Sequence, residues 1–146
     1  MKHLFSRLGL LLLLAVASSA FAIDNPDLPD YVAEFEARAK PYESKIGQNG
    51  SGTIPAGQDY ADFAKFLDTE LNQAYSQLMK KLDPKRKEEL KASQKSWITF
   101  RDSEGKFIQN NWNQAKNGSS YVLSVGAFRS SIVRDRVKAL LQYLKD

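Results

Sequence analysis

The chain of 146 residues has no cysteine, and its one histidine is His3. His3 falls in a stretch that reads as a secretory signal peptide, Met1 to Ala22. Lys2 and Arg7 form the basic start, Leu8 to Val16 the apolar stretch, and Ala20-Phe21-Ala22 the cleavage site. The apolar stretch is too short to span a bilayer, and the lack of a lipobox cysteine argues against a lipid anchor. Cleavage near Ala22-Ile23 leaves 124 residues with neither histidine nor cysteine. That excludes a Ser-His-Asp triad, a cysteine nucleophile and a histidine proton shuttle. Zinc and haem sites built on those ligands go as well, so no metal or cofactor is expected. Only carboxylates, lysines, tyrosines and hydroxyls remain as catalysts. An exported domain without disulfides must be held by packing alone, and binding is favoured over catalysis. The leader also carries two cations and no acid, so its removal lowers the net charge from +4 to +2.

Strand-like alternation and internal repeats are missing too, and helical periodicity is what fills the chain. Residues 23 to 30, with two prolines and three acids, read as an extended lead-in. The spacing of Asp24, Asp27 and Asp30 does not match a calcium loop, and Asp30 is better read as a helix cap. A short helix follows over Tyr31 to Lys40, with an extension past Pro41 to Ile46 left open. Gly47 to Gln58, with four glycines, reads as a flexible loop. From Asp59, taken as an N-cap, apolar residues recur in steps of three and four: Tyr60, Phe63, Ala64, Leu67, Leu71, Ala74, Tyr75, Leu78 and Leu82. Asp83-Pro84 breaks this helix and starts another, from Lys85 to Ile108 or a few residues beyond. Its stripe is read as Leu90, Trp97, Phe100 and Phe107, widened by Ile98 and Ile108. So short a connection predicts an antiparallel hairpin. Gln109 to Ser120 reads as a helix end and a loop, and Tyr121 to Leu144 as the last helix, with Val125, Phe128, Ile132, Arg136, Leu140 and Leu144 in register. The expected fold is an all-α bundle of three long helices plus a short N-terminal one. Its domain is placed at 59–146, after a leader (1–22) and an N-terminal extension (23–58).

Several constellations could carry function. Folding the hairpin about Asp83-Pro84 sets Asp68 or Glu70 opposite Arg101, which predicts a carboxylate–guanidinium brace between the two helices. Lys80, Lys81, Lys85, Arg86 and Lys87 cluster at the hairpin tip. Export makes nucleic acid an implausible partner, leaving an anionic envelope surface or a solvated helix end. Trp112 stands among Asn110, Asn111, Asn113 and Gln114, a composition suited to glycan or protein contact, or to packing over the bundle end. Asn49-Gly50-Ser51 and Asn117-Gly118-Ser119 match the glycosylation triplet but are frequent by chance in such loops. Ser93 and Ser96 beside Lys95 are poorly placed for a dyad, because neighbours on a helix face apart.

Leu67-Asp68-Thr69-Glu70-Leu71-Asn72-Gln73-Ala74-Tyr75 with Leu78-Met79, and Ser93-Gln94-Lys95-Ser96-Trp97-Ile98-Thr99-Phe100-Arg101-Asp102, together resemble the LprI-type lysozyme-inhibitor family. The closing segment from Gly118-Ser119 through Ile132 to Arg136 and Leu140 resembles the family's end. The resemblance runs from about Asp59 to Leu144. It implies a small exported helical domain whose partner is a protein, lysozyme, and it matches Glu70, Asn72, Tyr75, Gln94, Trp97, Arg101, Asp102 and Arg136 to signature positions. Family members usually carry two cysteines. Gly105 stands at the first such place and the second falls near Phe128, so packing of Phe107 and Phe128 is expected to replace the crosslink. At +2 the mature chain has no global attraction for a cationic lysozyme, so inhibition would need a local acidic patch or an inserted loop, best placed at Gln109 to Ser120. The rival readings are an envelope or secreted interaction or immunity protein with another partner, and a small carboxylate-dependent hydrolase.

Overall fold

The protein is described from a computed structural model, which covers residues 29–46, 48 and 53–145. The stretch read as a leader, most of the lead-in and the Asn49 triplet lie outside these residues. The described chain is an all-α bundle: α1 (Tyr31–Lys45), α2 (Thr53–Lys81), α3 (Pro84–Asn111), a single turn α4 (Gln114–Asn117), a 3-10 turn (Gly118–Ser120) and α5 (Tyr121–Gln142). No described helix is long and apolar enough to cross a membrane.

Asp30 caps α1, its carboxylate accepting from the Ala33 amide at 3.1 Å. The helix then runs through Pro41, although proline removes one of its hydrogen bonds. Contacts beyond the proline hold the continuation. Tyr42 stacks on Phe66 at 4.5 Å, and Glu43 pairs with Arg134 at 2.7 Å. The start of α2 corrects the sequence reading. The helix begins at Thr53, so Asp59 lies inside it and is not its cap. Pro55 is tolerated there because amides of the first turn have no intrahelical acceptor, and burial of Ala56 gives the added turn a packing contact.

The core is built where α2 meets α5, with α1 laid across both. Phe63, Leu67, Leu71, Ala74 and Leu78 of α2 face Val137, Leu140, Leu141 and Leu144, while Phe35 and Ala39 close the cluster from α1. Phe35, Phe63, Phe66 and Tyr42 stack with centroids 4.5–6.4 Å apart. One close approach sets the upper part of this interface. Gly126 lies under the Tyr60 ring, and a Cβ there would sit 2.3 Å from ring carbons.

The second half of the hairpin departs from the sequence reading. Asp83 does turn the chain, accepting from the Arg86 amide at 2.9 Å, but α3 packs on α5 and not alongside α2. Its buried residues are Leu90, Gly105 and Ile108. Leu90 and Ile108 are eighteen residues, five turns, apart and define the line that meets α5. Phe100 and Phe107 lie about a quarter turn off that line and are 52% and 60% exposed, with Ile98 at 40%. Phe128, 49% exposed, does not pack on Phe107; it stacks on Trp112 with ring centroids 4.6 Å apart. The residue facing Gly105 is Arg129, whose guanidinium lies 3.2 Å from where a Cβ would stand. The expected replacement of a crosslink by Phe107 and Phe128 is therefore overturned. The loop read over Gln109 to Ser120 is mostly helical turns.

The Gly126 contact yields a direct check. Gly126→Ala should cost about 1–3 kcal/mol, because the added methyl meets the ring near its attachment point, where it cannot swing aside. In a Tyr60→Ala background the same substitution should be close to neutral, as read by urea denaturation.

Candidate functional site

The residues matched to signature positions fall into two groups. Gln94, Trp97 and Arg101 succeed one another along α3, and Arg136 reaches them from α5. Arg136 Nε donates to Gln94 Oε1 at 3.0 Å and its Nη2 to Ser93 Oγ at 3.1 Å. Its guanidinium carbon stands 6.0 Å from the centroid of the Trp97 ring, and that of Arg101 stands 5.3 Å away. Trp97 thus packs against two guanidinium groups, an attraction between cation and ring quadrupole. Arg101 completes its contacts on its neighbour, Nε and Nη2 donating to Asp102 Oδ1 at 3.0 and 2.8 Å. The predicted brace to Asp68 or Glu70 is absent. That pairing requires the hairpin arms to touch, but they diverge from the turn, and Arg101 and Asp68 line opposite walls of a cleft.

Glu70 belongs to the second group and has a partner that the sequence did not suggest. Arg38 of α1 clamps it, Nε donating to Oε1 at 2.9 Å and Nη2 to Oε2 at 2.7 Å. The carboxylate side chain is 8% exposed and the arginine 48%. A bidentate pair of this kind is the strong form of ion pair, and it raises the Arg38 pKa further. Nearby, Tyr75 is half-buried against the core, and Asn72 is exposed.

A further ionic cluster ties α1 to α5. Arg134 pairs with Glu36 and Glu43, and Lys138 reaches Glu36 at 3.1 Å. Burial would raise the Glu36 carboxyl. The hydrogen bonds from Arg134 and Lys138, with their charges, outweigh it and hold the group below its ordinary value of 4.5.

Asn110 and Asn111 are exposed at the end of α3, and the Trp112 amide closes that helix on the Ile108 carbonyl at 3.0 Å. Asn113 caps the next turn, its Oδ1 accepting from the Lys116 amide at 3.1 Å. At the hairpin tip Lys81 donates to the Leu144 carbonyl at 3.0 Å, Arg86 pairs with Asp83 at 2.7 Å and Lys85 stands 4.0 Å from Glu89. Three of the five cations there are engaged within the protein. Ser93 is held by Arg136.

A cleft of about 550 Å³ lies on these elements, with α5 as its floor and α2 and α3 as its walls. Val122, Val125, Ile132 and Val133 form the floor, Ala61, Ala64 and Tyr60 one wall, and Arg101 and Asp102 the other.

The family described as Lysozyme inhibitor LprI matches residues 48–140. The chain belongs to that family. No curated protein and no solved structure matches the chain. The LprI span covers α2 to most of α5 and includes the eight residues matched by resemblance, but it excludes Arg38 and the rest of α1.

Removing Arg38 should therefore be felt inside the LprI span. Arg38→Met leaves the buried Glu70 carboxylate without its donors and should cost about 2 kcal/mol, measured by thermal or urea denaturation. Arg101→Met should cost less than about 1 kcal/mol, since its ion pair is with an exposed neighbour. The depressed Glu36 carboxyl contributes stability that is present above its unfolded pKa and lost as pH falls through the folded one. The melting temperature should thus drop between pH 5 and 3, within about two units of that carboxyl's ordinary value, and Glu36→Gln should flatten the drop.

Proposed function

We propose that this LprI-family protein is an exported helical binding protein that inhibits lysozyme and catalyses no reaction itself. The observation that carries this reading is the family match over residues 48–140. Export is supported by the leader-like composition of residues 1–22, with cleavage near Ala22-Ile23 placing the mature protein in the periplasm or outside the cell. Lysozyme cleaves its glycan between two carboxyl groups in a cleft, so a binder that occupies that cleft competes with substrate.

The contact surface is assigned to the corner formed by Asn110, Asn111, Trp112 and Asn113. What supports the assignment is an aromatic pair at a chain reversal, Trp112 on Phe128, flanked by two exposed amides. Aromatic side chains carry much of the energy in protein interfaces, and amides supply hydrogen bonds without the desolvation cost of a charge. The eight signature residues are assigned to the scaffold that presents this corner, since the contacts of Glu70, Gln94, Trp97, Arg101 and Arg136 are made within the chain.

The mature protein should protect bacterial cell walls from lysozyme in a turbidity assay. Absence of protection at micromolar excess against several lysozyme types would leave the family fold with a different partner, an interaction or immunity protein. Trp112→Ala should weaken inhibition about thirtyfold or more, the loss expected at an interface hot spot. It should cost only about 1 kcal/mol of stability, the worth of its stacking on Phe128. A large loss of melting temperature without a loss of inhibition would assign Trp112 to the scaffold.

A further inference from the structure

The cleft over α5 combines an apolar floor with two side-chain charges that have no partner. Arg129 rises from the floor and lies over the buried Gly105. Asp68 stands on the α2 wall. Among the described residues neither makes an ion pair or a hydrogen bond. The other two charges in the cleft, Arg101 and Asp102, neutralise each other at 2.8 Å. What the cleft offers a visitor is therefore one cation, one anion and an apolar, valine-rich floor.

We infer that this cleft is a binding site for a short apolar peptide with free termini, its carboxylate on Arg129, its ammonium group on Asp68 and its side chains on Val122, Val125 and Val133. The volume, about 550 Å³, lies within the roughly 300–1,000 Å³ of sites that hold small ligands. Guanidinium suits the ligand carboxylate because its planar fork can donate two parallel hydrogen bonds. A ligand with charge of one sign would satisfy one of the two groups and be repelled by the other, whereas a zwitterion meets both. A valine-rich floor adds affinity for apolar side chains by removing them from water. The site is independent of the Trp112 corner, and its occupancy is read by binding and not by lysozyme inhibition, so either assignment can fail without the other.

The test is calorimetric titration of the full mature chain with the tripeptide Leu-Ala-Leu, beside its N-acetylated and its C-amidated forms. The free tripeptide should bind one to one, and blocking either end should weaken it at least tenfold. Arg129→Gln should erase the penalty for amidation and Asp68→Asn the penalty for acetylation. Both residues are exposed, so both variants keep the fold. Ala64→Trp, or Ala61→Trp if the first fails to fold, should fill the trough and abolish binding, and both alanines are exposed. Three results would each overturn the inference: no binding of the free tripeptide at millimolar concentration, equal binding of the blocked forms, or binding unchanged by the tryptophan. So would a dimer that the tryptophan variant dissociates, since a second copy would then be the occupant.

Discussion

The packing of α2 on α5 is the contact from which the rest of the molecule hangs. Both helices run the length of the bundle, and together with Phe35 and Ala39 they contribute most of the fully buried side chains. Their separation is fixed from both ends. Near the Gly126 end, a missing side chain lets the Tyr60 ring lie directly on the α5 backbone. Towards the other end, Leu71 and Leu78 share a cluster with Leu141 and Leu144. Protein interiors pack as densely as organic crystals, so an interface set at two places leaves little freedom between them.

The two remaining helices are attached to this pair by different physics. α1 buries Phe35 and Ala39 and then adds charge: one bidentate pair to α2 and a cluster of three ion pairs to α5. α3 buries little and is held by Leu90 and Ile108, by the Arg136 bonds to Gln94 and Ser93, and by aromatic stacking at Trp112. A helix attached so lightly leaves space beside it, and the cleft over α5 is that space. Loose attachment of one helix and the presence of a cavity are the same fact.

What could be read from the amino acids follows from where burial is periodic. The α2 stripe was legible because its apolar residues alone carry the 3.6-residue period, and the turn at Asp83-Pro84 because aspartate and proline each have one strong local preference there. The α3 face was misread. Its buried line includes a glycine, and Gln94 and Arg101 occupy the seam, while the large aromatics Phe100 and Phe107 point elsewhere. No periodicity rule ranks glycine above phenylalanine as a core residue. The partner of Glu70 was also out of reach. Arg38 is 32 positions away on a helix read only for its apolar face, and the pairing depends on how α1 lies across α2. The eight positions matched through resemblance divide into a Trp97 group and a Glu70 group, and that division needed coordinates.

The boundary of the LprI match gains meaning from these contacts. It begins after α1 and ends at Leu140, so Phe35, Ala39, Leu141 and Leu144, all within the main cluster, lie beyond it. The unit that family membership recognises is thus smaller than the unit that folds. Cut at the recognised ends, the chain would keep all eight residues matched by resemblance yet open one side of its core to water, with Glu70 deprived of its Arg38 clamp at the breach. In this protein the part that carries the family's identity depends on a helix that does not.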